Sequence, residues 1–177
     1  ERAVMAILVT QIAAAAAGVS WMFVEWMLRG RPSLLGLISG AVGGLVVITP
    51  ASGFVGPVAA LVMGLIGGVC CFWGAVFLKR MAGWDDSLDA FGVHGVGGIV
   101  GALLTGVFAS SAVTGSEMNP VMTQVGIQTA SVVATMVYAG AVSWILLKII
   151  DVVMGLRVTS DEERMGLDLS LHGERIE

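Results

Sequence analysis

The chain has 177 residues and a formal net charge of −4; 56% of its residues are hydrophobic and 12% are charged. Its mean hydropathy is +0.92. A soluble domain carries roughly twice that charged fraction, and nucleic-acid binding needs a basic patch that is missing, so both classes are excluded in favour of a chain that crosses a membrane several times.

Five apolar segments follow one another, at about Ala3 to Leu28, Ser33 to Thr49, Pro57 to Leu78, Ala90 to Ala109 and Val121 to Ile150. The third runs 22 residues without a charge. At 1.5 Å per residue it reaches about 33 Å, enough to cross the hydrocarbon. The second is short, and the fifth is long enough to tilt or to extend beyond the bilayer. Arg29-Gly30-Arg31-Pro32, Thr49-Pro50-Ala51-Ser52-Gly53 and Asn119-Pro120 break the segments apart. The expected fold class is an all-α membrane protein with five transmembrane helices over 1–154 and a tail over 155–177.

Basic residues set the expected orientation. Arg29 and Arg31 lie in the first loop, Lys79 and Arg80 in the third, and Lys148, Arg157, Arg164 and Arg175 towards the end. The second and fourth loops carry none, so eight of the nine basic residues fall on one alternating side. The positive-inside rule makes that side cytoplasmic, with the N-terminus outside and the tail inside. The chain opens at Glu1, straight into an apolar stretch and without a signal-peptide pattern, which reads as a piece of a longer protein.

Small residues mark the expected helix contacts. Gly36, Gly40 and Gly44 make two GxxxG steps, and Gly64 with Gly68 and Gly97 with Gly101 make one each. Each presents a smooth strip on which another backbone can pack, or which could narrow a pore. Cys70 and Cys71 are adjacent inside a span, so no disulfide framework exists and both read as packing residues.

His94, in Phe91-Gly92-Val93-His94-Gly95, is the informative polar residue of the spans. An ionisable group inside a membrane is costly without a partner or a polar path, which makes function the default reading. Burial favours the neutral ring, and a neutral ring keeps one N–H donor and one bare acceptor for a small polar molecule. The alternative is a ring bonded to a backbone carbonyl of a neighbouring helix. The only other histidine, His172, lies in the tail, and no second ligand sits at helical spacing, so no metal site is expected.

Other polar residues read as structural. Glu25 is expected near the interface, paired with Arg29 four positions on. Gln11 and Gln128 are expected to bond across helices. Trp21, Trp26, Trp73 and Trp84 fit an interfacial belt. Asp85, Asp86 and Asp89 precede the fourth span; Asp89 or Ser87 could cap it, or the cluster could pair with Lys79 and Arg80. In the tail, Ser160 and Glu163 have capping-box spacing, and the segment either runs free or docks through its leucines.

Taken together, Glu25-Trp26, Arg29-Gly30-Arg31-Pro32-Ser33-Leu34-Leu35-Gly36, Ser39-Gly40-Ala41-Val42-Gly43-Gly44, Ile48-Thr49-Pro50-Ala51-Ser52-Gly53, Lys79-Arg80, Asp85-Asp86 and Phe91-Gly92-Val93-His94-Gly95 resemble the ammonium transporter family. The tail strings Gly155-Leu156-Arg157-Val158, Gly166-Leu167-Asp168 and His172-Gly173-Glu174 extend the likeness. The pattern looks like the last five helices and tail of the bacterial Amt branch of the Amt/Mep/Rh superfamily. The resemblance implies an eleven-helix protomer of two inverted five-helix repeats plus a final long helix, assembled as a homotrimer with one pore per subunit in the plasma (inner) membrane. It implies that His94 is the second of two pore histidines and that Thr49 lies near the outer mouth. It implies that Gly166 and Asp168 belong to a tail that couples subunits, and that a trimeric PII signalling protein binds the cytoplasmic face. The first pore histidine and the outer recruitment site would precede Glu1. The resemblance implies no cofactor and no enzymatic activity, only conduction of ammonium or ammonia.

Two competing readings are an ammonium sensor built on the same pore and, more remotely, an intramembrane serine protease using Ser52 or Ser39 with His94. One tension stands within the resemblance. Counting residues puts His94 near the cytoplasmic start of its span, whereas the family places it in mid-pore. A deeply set helix start would reconcile the two, helped by Gly92 and Gly95.

Overall fold

The fold was obtained as a computed structural model that describes residues 2–83 and 85–175. The described residues are helical, without strands. Helix α1 spans Arg2–Arg29, α2 Leu34–Ile48, α3 Pro57–Ala82, α4 Phe91–Phe108, α5 Ser111–Thr114, α6 Val121–Val153 and α7 Ser160–Met165. A last π-helical turn covers Asp168–His172. Four helices (α1, α3, α4 and α6) are long and apolar enough to cross a membrane. The fifth apolar helix, α2, has 15 residues, about 22 Å at 1.5 Å per residue. The chain divides into two compact units, one reaching to Val132 and one starting at Val133 within α6.

Local chemistry accounts for the helix ends. Ser33 caps α2 by accepting the Gly36 N–H on its hydroxyl at 2.9 Å. Pro57 opens α3, where its missing N–H costs nothing. The turn between α2 and α3 is not a surface loop: Ala51 and Val55 are fully buried. Its Phe54 carbonyl accepts the Ser110 N–H at 2.9 Å, which ties the end of α4 to the end of α2.

In the first unit α1, α2 and α3 pack on one another, and α4 packs on α2 and α3. Lipid is as apolar as a leucine side chain, so close packing must supply what the hydrophobic effect would supply in water. Glycines make it possible. A Cβ on Gly44 would stand 2.4 Å from the Ala13 carbonyl oxygen, one on Gly68 2.3 Å from that of Ala17, and one on Gly101 2.3 Å from that of Val47. The GxxxG strips therefore serve helix packing, against α1 and α2. Val9, Val47, Ile48, Met63, Cys71 and Phe72 fill the space between them.

Several expectations need correction. Trp21 is a core residue, 4% exposed, with Phe72 edge-on at 5.4 Å between centroids. Of the other three expected in the belt, Trp26 and Trp73 present open surface, and Trp84 lies outside the described residues. Neither Gln11 nor Gln128 bonds across helices among the described residues; Gln128 packs its chain beside Gly106. In the second unit, the capping box of α7 is Thr159 with Glu162, one residue earlier than Ser160 with Glu163. Thr159 has the extended backbone a cap requires, while Ser160 is already helical.

Candidate functional site

The site is built around the start of α4. Helices α3 and α4 run antiparallel and meet through two glycines. A Cβ on Gly92 would stand 2.5 Å from the backbone nitrogen of Ala75, and one on Gly74 2.9 Å from the Gly92 carbonyl oxygen. Gly74 lies about 12 Å along α3 from its Ala82 end, at 1.5 Å per residue. The start of α4 is thus set beside the second half of α3, short of its Ala82 end, and His94 stands half a turn beyond Gly92. Residues Asp85 to Asp89 lead into the helix at that level.

Both helices carry a π-helical turn at this contact, Gly74–Leu78 in α3 and Phe91–Gly95 in α4. Such turns cluster at functional sites because they re-aim side chains and disturb the ladder of backbone bonds. Cys71 attends to that disturbance: its thiol donates to the Val93 carbonyl at 3.6 Å. Gly43 and Gly97 leave room for the sulfur, which lies 3.1 Å from where either Cβ would be. On the opposite side the Phe91 ring covers Gly95, where a Cβ would meet it at 2.8 Å.

His94 itself is exposed in this chain, and its ring has no hydrogen-bond partner among the described residues. The expected alternative, a ring bonded to a neighbouring carbonyl, is not what the described residues form. One turn along, Gly98 has open space beside it. No described serine bonds to His94; Ser52 donates to the Thr49 carbonyl at 3.5 Å instead. Thr49 is exposed at the far end of α2, its hydroxyl donating to the Leu45 carbonyl at 2.6 Å. His94 and Thr49 therefore occupy different levels of the first unit. Gly166 and Asp168 belong to the second unit, where Gly166 has φ of 92° and Asp168 opens the last turn.

The acidic cluster resolves into distinct jobs. Asp86, rather than Asp89 or Ser87, caps α4: its carboxylate accepts the Ala90 and Phe91 N–H groups at 2.8 and 2.9 Å. Asp89 cannot cap, since it sits at φ 54° and turns its carboxylate to Lys79. Lys79 also donates to the Asp86 carbonyl at 2.9 Å.

Glu25 joins α1 to α2. It is 3% exposed and accepts from Arg29 Nη1 at 2.8 Å, from the Ser33 N–H at 3.1 Å and from the Ser33 hydroxyl. A Cβ on Gly36 would fall 2.1 Å from its Oε2. The expected Arg29 partner is present, and the Glu25 side chain is buried between the two helices. A cavity of about 100 Å³ beside it is lined by Trp21, Glu25, Arg29, Ser39, Phe72 and Asp89 among others.

Sequence reasoning missed Cys71, Gly74, Asp86 and the depth of Glu25. The signal for Asp86 was its place four residues before Ala90 in a segment still short of the helix. For Cys71 and Gly74 no local pattern announces a partner on another helix.

The profile described as Ammonium Transporter Family matches residues 1–176. The ammonium transporter of Bacillus subtilis is 43% identical over 177 residues, covering 98% of this chain and 44% of that protein. The crystal structure of Saccharomyces cerevisiae Mep2 gives a TM-score of 0.81 at 38% identity, over 90% of this chain and 38% of that one. A solved sensor Amt protein gives a TM-score of 0.88 at 34% identity, over 96% of this chain and 42% of that one. The chain spans less than half the length of these relatives. It belongs to the ammonium transporter family.

Proposed function

We propose that this chain contributes the second half of a channel-like pore that conducts ammonium or ammonia across a membrane. The observation that carries the reading is His94: an imidazole in the first turn of an apolar helix, on an open face, its ring without a hydrogen-bond partner among the described residues. Hydrocarbon tolerates such a group poorly, whereas a narrow polar conduit uses it. The open strip at Gly98 gives a small molecule room to pass beside the ring.

The selection problem is ammonium against potassium, which are of similar size. A nearly dry passage imposes several kcal/mol on any bare ion. Ammonium can leave its proton at the entrance and pass as ammonia, hydrogen-bonded to a neutral imidazole. On this reading Thr49 lies near the outer mouth, the Lys79 end is cytoplasmic, and the protein is a multi-pass homotrimer of the plasma membrane. The tail around Gly166 and Asp168 then couples subunits and meets a PII-type regulator, and the chain is no enzyme.

The test is the complete gene product in proteoliposomes under an ammonium gradient. Saturable flux that excludes potassium is expected, and His94→Ala should lose or alter it. Unchanged flux and selectivity in that variant would discard the role of His94. A second reading, an ammonium sensor, is favoured by the likeness to the sensor Amt protein. Ammonium binding with no measurable flux in the same vesicles would decide for it.

A further inference from the structure

We propose that Lys79 is a positioning residue that latches the start of α4 against α3 and thereby sets where His94 stands; this rests on the transport reading of His94. A helix that begins inside a membrane leaves its first N–H groups without partners, and water is not there to take them. Asp86 takes two of them, from Ala90 and Phe91, and the Asp89 carbonyl takes a third, from Val93 at 2.8 Å. That solution brings two carboxylates to the spot. Two like charges drawn together and partly withdrawn from solvent repel one another, so the arrangement calls for a cation.

Lys79 is that cation. Its ammonium donates to the Asp86 carbonyl and pairs with Asp89 Oδ1. Both side chains of the pair are about one-third exposed, at 29% and 35%. Asp89 is the one non-glycine residue with positive φ among the described residues, the kind of backbone that persists only when its surroundings hold it. The position of Lys79 on its helix is itself adjusted. It follows the π-helical turn Gly74–Leu78, and one extra residue in a turn rotates everything after it by about 100°. The latch therefore joins α3 to the residues that cap α4, while the Gly74–Gly92 contact holds the helices together a turn deeper. Without Lys79, Asp86 and Asp89 are drawn towards water, and the start of α4, with His94, shifts along α3.

The test uses the complete gene product in proteoliposomes, reading ammonium flux, potassium flux and folded yield. Lys79→Met should lower the ammonium-to-potassium ratio by about tenfold or more, within the roughly hundredfold that a misplacement of about 1 Å can cost a working group. Lys79→Arg should keep most of it. In a His94→Ala background, Lys79→Met should cause no further loss of selectivity, which separates an effect through His94 from a general weakening. A folded Lys79→Met protein with wild-type selectivity overturns the proposal, and so does an undiminished further loss in the His94→Ala background. Should Lys79→Met fail to fold, Asp89→Asn decides: asparagine accepts the left-handed backbone, so only the ion pair is lost. Reduced selectivity in Asp89→Asn supports the latch; wild-type selectivity overturns it. If wild-type vesicles show no ammonium flux, or His94→Ala changes nothing, the transport reading has failed. If His94→Ala is impaired and the latch variants are not, only the latch has.

Discussion

The thiol of Cys71 on α3 donates to the carbonyl of Val93 on α4, one residue before the histidine of the proposed pore. The thiol is fully buried, between Gly43 and Gly97, and it satisfies a backbone oxygen at a turn whose own ladder is irregular. Removing the donor leaves that oxygen only the Val96 N–H, which it already accepts. Cys71→Ala should cost about 0.5–1.5 kcal/mol. Cys71→Ser keeps a donor of similar size and should cost less. Thermal unfolding in detergent compares the two, and equal midpoints would show that the contact contributes nothing.

Gly92 sets a harder limit. A methyl group there would meet Ala75 Cα and N at 2.5 Å and the Gly74 carbonyl carbon at 2.8 Å. All three are backbone, so no rotamer change relieves them. Overpacking of this kind costs about 1–3 kcal/mol or forces the helices apart. Gly92→Ala should lower both thermal stability and ammonium selectivity. Gly98→Ala, where nothing lies within 4 Å, should leave thermal stability nearly unchanged. A Gly92→Ala protein as stable as the wild type would refute the close contact.

These contacts mark where reading the chain alone stops. The apolar segments and their breakers were visible because a membrane demands long apolar runs and because Gly and Pro interrupt them. The glycine strips were visible because GxxxG is a local pattern. The depth of His94 was not. It depends on Gly92 meeting Gly74, 18 positions earlier in the chain, and on a helix start whose capping carboxylate comes from Asp86. A cap search by neighbourhood favours Asp89 or Ser87, and tertiary pairing with Lys79 takes Asp89 away. Trp21 failed for a related reason: periodicity places it near a helix end, but its packing on Phe72 decides its surroundings.

Glu25 offers a third measurement. The Arg29 pair was legible from four-residue spacing, but Ser33, which donates through both its N–H and its hydroxyl, belongs to the next helix. The side chain is 4% exposed, and its loss would leave Arg29 and the Ser33 N–H without their acceptor. Arg29 is 47% exposed and can turn to water, so the loss is chiefly that of the Ser33 N–H left without its acceptor, about 1–3 kcal/mol. Glu25→Ala should therefore be destabilising, and Glu25→Gln, which keeps an acceptor, less so. Chemical or thermal unfolding of both variants is the check. A Glu25→Ala protein with an unchanged midpoint would mean that the tie is not formed.

The tail gives a pH dependence whose sign can be worked out. Glu162 accepts from the Thr159 hydroxyl at 2.7 Å and from the Thr159 N–H at 2.8 Å. The hydroxyl first, then the backbone N–H, holds its carboxyl below the ordinary carboxylate range. A group whose folded value lies below its unfolded one stabilises the fold when ionised. The contribution is therefore full above the ordinary carboxylate range and is lost as pH falls through the lowered value. Amide exchange at residues 159–166 in the intact protein should quicken relative to α6 as the solution is acidified through that window. Thr159→Ala should flatten the response, because the largest cause of the shift is gone. Ser160→Ala should leave it intact, which separates the observed capping box from the one displaced by a residue. Equal acid sensitivity in both variants would show that the tail helix owes nothing to this cap.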